Sequence, residues 1–104
     1  MEQCPVNYAL TILNGKWKLR IVWALTNTGS IRFNELQRLL EGISPIMLSK
    51  SLQDLEENKI IVRKQFNEIP PHVEYSLSEI GIEIKSALDS LGEWGEKLHL
   101  ANME

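Results

Sequence analysis

Apolar residues run along this chain in two rhythms, helical up to Lys59 and again after Ser78, alternating in between. The clearest helical stretch is GISPIMLSKSLQDLEENK, residues 42–59. Leu48, Leu52 and Leu55 recur there at i, i+4 and i+7, which is one buried stripe. Ser44 supplies an N-cap, and Pro45 suits the first helical position, where a missing N–H costs nothing. Ile46, Ser49, Lys50 and Gln53 point away from the leucines, so this face is either plain solvated surface or meets a partner. Upstream, Pro5 opens a helix with Val6, Ala9, Leu10 and Leu13 inward, and Asn14-Gly15 ends it. KWKLRIVWAL predicts a second helix with Trp17, Ile21, Ala24 and Leu25 as its stripe. Residues 30–33 suit one short strand. Residues 33–40 suit a short helix with Leu36, Leu39 and Leu40 inward, and Glu41-Gly42 is a turn.

After Lys59 the period falls to two. IIVRKQF places Ile60, Val62 and Phe66 on one face of a strand, and VEYSL places Val73, Tyr75 and Leu77 on one face of another. NEIPPH between them is a loop, because Pro70 and Pro71 cannot sit in a central strand. Ser78 then caps one long helix to about residue 101, with apolar positions at Ile80, Ile84, Ala87, Leu88, Leu91, Trp94 and Leu98. Gly92 and Gly95 each cost this helix about 1 kcal/mol relative to alanine, which suggests close approach by another backbone or a bulky ring. The stripe is wide for so small a core. Seven-residue spacing of Ala87, Trp94 and Ala101 predicts a homodimer interface containing Leu88, Leu91, Trp94 and Leu98. Trp17, Trp23 and Trp94, at helical spacing among Leu and Ile, read as core or interface rather than a ligand pocket.

Helix, helix, short strand, helix, turn, helix, hairpin and long helix make a mostly α fold with a small β-hairpin (α+β), the winged helix-turn-helix arrangement. The expected organisation is one domain over residues 1–104, with N-terminal helices at 5–26, the helix-turn-helix at 33–58, the wing at 60–77 and a dimerisation helix at 78–101. In such a fold the second helix of the pair fits the major groove, and the hairpin reaches adjacent backbone or minor groove.

Composition narrows the function. At 43% hydrophobic and 24% charged, the chain is of ordinary globular type, with no apolar run near the ~20 residues that span a bilayer. MEQCPVNYAL has neither a basic n-region nor an apolar h-region, so no signal peptide and a cytoplasmic location are expected. A single cysteine, Cys4, excludes an internal disulfide framework. No metal-ligand spacing, glycine-rich phosphate loop or nucleophile–base pair stands out, so no enzyme and no cofactor are expected. The net charge of −3 conceals an asymmetry. Residues 1–66 carry nine Lys/Arg against six Asp/Glu, and residues 67–104 carry two against eight. An electropositive face on the first two thirds is compatible with a double-stranded DNA partner.

The 45–58 helix has matching polarity: Lys50 lies in its N-terminal half, while Asp54, Glu56 and Glu57 crowd the far end and would repel phosphate. Ile46, Ser49, Lys50 and Gln53 are the candidate groove-reading set. Gln53 carries the donor–acceptor pair that adenine needs, Lys50 suits guanine or phosphate, and Ile46 suits a thymine methyl. Ser44 is first a cap, although a cap can also face phosphate. Arg32 and Asn34 at the start of the 33–40 helix, Lys16 and Lys18 opening the second helix, and Arg63, Lys64 and His72 in the wing complete the candidate DNA contacts. The competing reading is a winged helix used for protein–protein interaction without DNA, which the acidic C-terminal third favours.

The blocks CPV, GKWKLRIVWAL, IRFNEL, GISPIMLSKSLQDLEENKII and IPPHVEYSLSEIG resemble the HxlR-type helix-turn-helix regulators, a winged-helix family similar to the MarR-like regulators. The resemblance runs from Cys4 to Gly95 in order and without gaps. It implies a bacterial or archaeal transcription regulator that dimerises through its N- and C-terminal helices and binds a roughly palindromic operator. Relatives often carry Lys or Arg where this chain has Ile46, so the resemblance also implies a different operator preference. Members with a cysteine at the CP position include sensors of oxidants or electrophiles, which makes Cys4 a candidate redox sensor and an electrophile or small molecule a candidate effector. A thiol at a helix start is biased toward the reactive thiolate.

Overall fold

The computed structural model describes residues 4–103. Its elements are α1 (Pro5–Ile12), α2 (Lys18–Thr28), β1 (Ile31–Arg32), α3 (Phe33–Leu39), α4 (Pro45–Glu57), β2 (Ile61–Phe66), β3 (His72–Leu77), α5 (Glu79–Ile82) and α6 (Lys85–Ala101). Helix α4 forms as its local signals require: Ser44 Oγ accepts the Met47 N–H at 3.1 Å, and Pro45 opens the first turn. Leu48, Leu52 and Leu55 are buried, together with Ser51 between them. Polarity hid Ser51 from the apolar pattern, although it occupies the i+3 position of the same stripe. The leucines meet Ile21, Val22 and Leu25 of α2, Leu36 of α3, and Ile31 and Ile61 of the sheet in one core. Burial of each such leucine contributes about 2 kcal/mol of transfer free energy.

The sheet is antiparallel in the order β1-β3-β2. Ile61 pairs with Leu77, Arg63 with Tyr75 and Phe66 with His72, while Ile31 and Arg32 of β1 pair with Tyr75 and Glu74. Alternation therefore turns Ile31, Ile61, Tyr75 and Leu77 toward the helices and Arg32, Val62, Lys64, Phe66, His72 and Glu74 to the other face. This reverses the β2 phase expected from Ile60, Val62 and Phe66: Ile61 is buried and Val62 exposed. Lys59, at φ 65°, takes the left-handed turn that ends α4 and sets this phase. The wing loop is residues 67–71, since His72 already belongs to β3.

Four further expectations are corrected. The final helix is two helices. Glu83 and Ile84 form a turn in which their N–H groups reach Ile80 and Gly81 carbonyls three residues back, and α6 restarts from the Ile84 carbonyl. Gly81, rather than Gly92 or Gly95, is the glycine a close neighbour requires. A Cβ on Gly81 would overlap the Ile60 carbonyl oxygen, whereas one on Gly92 or Gly95 meets nothing within 4 Å among the described residues. Helix α1 buries none of its residues; Val6 and Leu10 are exposed, and only Leu13 beyond its end reaches the core. Leu39 is exposed as well, because α3 turns only Leu36 fully inward.

Candidate nucleic-acid interface

The outer face of α4 is a continuous accessible stripe. Ile46, Ser49, Lys50 and Gln53 follow one another at i, i+3, i+4 and i+7, and all four are exposed. Ile46 is 83% exposed and touches no core, so its presence has no packing explanation within the chain. Ser44 is engaged as the cap. Glu56 and Glu57 are exposed at the opposite end.

Lys16 and Lys18 have different settings. Lys16 is exposed, its ammonium 4.9 Å from the Trp17 ring, and it shares a shallow recess with Lys50 and Met47 of α4. Lys18 is turned inward, with a side chain 17% exposed and its Nζ 3.4 Å from Asp54 Oδ2. That pair ties α2 to α4 and gives Asp54 a structural partner, so Lys18 is held away from the solvated face on which its reading as a DNA contact depends.

Arg32 and Asn34 lie with Arg38 and His72 around a second recess where α3 meets the wing. Arg38 was not among the sequence candidates; it stands one turn after Asn34 on the same helix face, which is the signal that identifies it. His72 is packed more firmly than a wing-surface residue would be. Its ring stacks on Phe66 at 4.7 Å with planes 10° apart, and Nε2 lies 2.9 Å from Glu74 Oε2. A carboxylate accepts only, so that nitrogen carries the hydrogen. Ser30 Oγ donates to the other oxygen, Glu74 Oε1, at 2.6 Å. These two hydrogen bonds, Ser30 first, with the Arg32 charge adding to them, hold the Glu74 carboxyl below the ordinary carboxylate pKa. Arg63 and Lys64 project from opposite faces of β2, and Lys64 Nζ lies 5.1 Å from the Phe66 ring. At the wing tip Ile69 is wholly exposed.

Two features lie apart from this surface. Cys4 is exposed at the start of α1. The Asn7 N–H, then that of Val6, lowers its thiol pKa without closing a capping hydrogen bond. On α6, Leu88 is buried in its own core, unlike the interface role expected for it, while Leu91, Trp94 and Leu98 are exposed. Trp17 packs against the core, and Trp17, Trp23, Leu39, Leu88 and Leu91 line an apolar cleft of about 680 Å³ with Arg20 and Glu41 at its edge. No helix among the described residues is long and apolar enough to cross a membrane.

A helix-turn-helix whose second helix bears an accessible stripe, followed by a hairpin wing that completes a three-stranded sheet with β1, defines a winged helix-turn-helix protein of the MarR-like kind. The chain belongs to the HxlR-like helix-turn-helix family, which matches residues 12–103. The uncharacterized HTH-type transcriptional regulator YtcD of Bacillus subtilis is 42% identical over 90 residues, covering 86% of this chain and 71% of YtcD. Among solved structures, the redox regulator HypR in its oxidized form is 37% identical with a TM-score of 0.82, covering 90% of this chain and 96% of that one. The reduced form of the transcriptional regulator YodB from B. subtilis is 30% identical with a TM-score of 0.80, covering 91% and 93%.

Proposed function

We propose that this DNA-binding transcription regulator engages a roughly palindromic operator as a homodimer, with α4 in the major groove and the wing on adjacent backbone or minor groove. The observation that carries the reading is the α4 stripe: Ile46, Ser49, Lys50 and Gln53 face solvent together, with the acids at the far end of the helix. Lys16, Arg32, Asn34, Arg63 and Lys64 flank that stripe as phosphate contacts, and Arg38 joins them. The domain is a single winged-helix unit. Dimerisation uses α1 and α6, which expose the large apolar side chains Val6, Leu10, Leu91, Trp94 and Leu98. DNA is favoured over a purely protein-binding winged helix because the family and its structural neighbours are transcriptional regulators.

The test is a titration of the protein against genomic fragments at several salt concentrations. A protected site spanning two successive major grooves is expected. With five cationic phosphate contacts per subunit, about ten in the dimer, log K should fall against log salt with a slope near −9. No protected site and a flat salt response overturn the reading.

A second reading, response to oxidants or electrophiles through Cys4, is favoured by the thiol's position. It is exposed, and backbone N–H groups lower its pKa, which raises the thiolate fraction at neutral pH. The solved relatives include the redox regulator HypR. Alkylation of Cys4 should show a pH midpoint below the ~8.5 of a free cysteine. A thiol oxidant should change operator affinity of the wild type and leave Cys4→Ser unaffected. Equal responses in both proteins sink this reading. With one cysteine per chain, any disulfide joins two subunits or takes a small thiol.

A further inference from the structure

We propose that Glu74 is a positioning residue for DNA binding, orienting the cationic groups on the outer face of the wing toward the phosphate backbone. The inference rests on the proposed function and adds a residue that function does not require on charge grounds. Glu74 is an acid in the middle of a basic face. It belongs to the central strand β3, with Arg32 of β1 directly across on one side and Lys64 of β2 across on the other. Its two oxygens are both used: Ser30 Oγ donates to Oε1 at 2.6 Å, and His72 Nε2 donates to Oε2 at 2.9 Å. The His72 ring then stacks on Phe66, and Lys64 lies over the Phe66 ring. One carboxylate therefore ties the segment that leads into α3 to the His72–Phe66 stack over which Lys64 lies, with Arg32 across from it on β1. The lowered pKa of the Glu74 carboxyl agrees, since the group stays ionised throughout the neutral range.

Charge and geometry predict opposite signs, which makes the proposal decidable. A carboxylate beside DNA repels phosphate, so removing its charge alone tightens binding. Removing a positioning group lets Arg32 and Lys64 wander and weakens it. Glu68 supplies the comparison: it is an exposed wing acid whose carboxylate lies 3.9 Å from His72 Nδ1, beyond hydrogen-bond distance.

The experiment measures operator affinity across a salt series for wild type, Glu74→Gln, Glu68→Gln and Ser30→Ala. Glu74→Gln is expected to bind about tenfold more weakly at ~0.15 M salt, with a slope shallower by about 2, equivalent to one phosphate contact per subunit. Ser30→Ala, which removes a donor and no charge, shifts both quantities the same way. Glu68→Gln binds more tightly. Glu74→Gln binding as well as wild type with an intact slope overturns the proposal. Should Glu74→Gln fail to fold, wild-type affinity and slope in Ser30→Ala overturn it instead. A wild type that binds no fragment overturns the proposed function, and this inference with it.

Discussion

Lys50→Glu is expected to lower operator affinity by roughly two to three orders of magnitude while leaving the fold intact. Lys50 is exposed in the first half of α4, opposite the buried leucines. A charge-assisted contact from lysine to guanine or phosphate is worth about 1–3 kcal/mol, and a dimer makes two of them. Replacing each by an acid removes the contact and adds repulsion, so a total loss of about 3–4 kcal/mol is the expected scale. Glutamate has nearly the helix propensity of lysine, so the denaturation midpoint should move by no more than about 0.5 kcal/mol.

The same variant separates two roles for Lys50. If the ammonium meets phosphate, the loss is uniform over all sequences and the salt slope shrinks by about 2 for the dimer. If it meets guanine, the loss falls on operators that carry that base and the slope changes less. Retention of wild-type affinity for every fragment would remove α4 from the interface. Ile46 sharpens the comparison: its exposed side chain offers no charge where the family resemblance suggests a basic residue, so in this chain Lys50 is the one cation on the α4 stripe.

How far the interface was legible in the sequence follows from the range of the interactions that build it. Helix α4 is set by neighbours: a serine cap, a proline at the first position and a leucine stripe lie within residues 44–55, so the exposed face follows by elimination. The wing is not local in this sense. Ile60, Ile61 and Val62 are three β-branched residues in a row, and either phase satisfies an alternating pattern. The choice is made by the left-handed Lys59 and by Ser78, whose Oγ reaches the Lys59 and Ile60 carbonyls across 18 or 19 residues. The link from Ser30 to Glu74 spans 44 residues and has no sequence signature. Lys18 and His72 looked accessible for the same reason, since Asp54 and Phe66 become their neighbours only in the folded chain. Helix α1 shows the converse: Val6, Ala9 and Leu10 make an amphipathic pattern that implies burial, yet all three stay exposed, because nothing among the described residues packs over them.

Gly81→Ala is expected to destabilise the chain by about 3 kcal/mol, more than a helix propensity scale allows, since alanine is the better helix former by ~1 kcal/mol. Gly81 lies in α5, where a Cβ would overlap the Ile60 carbonyl oxygen, and that atom is backbone and cannot rotate away. The same carbonyl accepts the Ser78 N–H at 3.0 Å, and Ser78 Oγ accepts the Gly81 N–H at 3.0 Å. Moving the helix aside to admit the methyl group therefore strains the α5 cap and the hydrogen bond that joins the end of β3 to the start of β2. Loss of the cap alone costs about 1 kcal/mol. For a domain of this size the total corresponds to a melting temperature lower by about 15 °C. Gly92→Ala is the matched comparison, because its Cβ meets nothing within 4 Å among the described residues and the added helix propensity should stabilise an isolated subunit. Thermal melts of both variants check the argument. A Gly81→Ala protein as stable as wild type would show that α5 does not press on Ile60, and the geometry that sets the wing's phase would have to come from Lys59 alone.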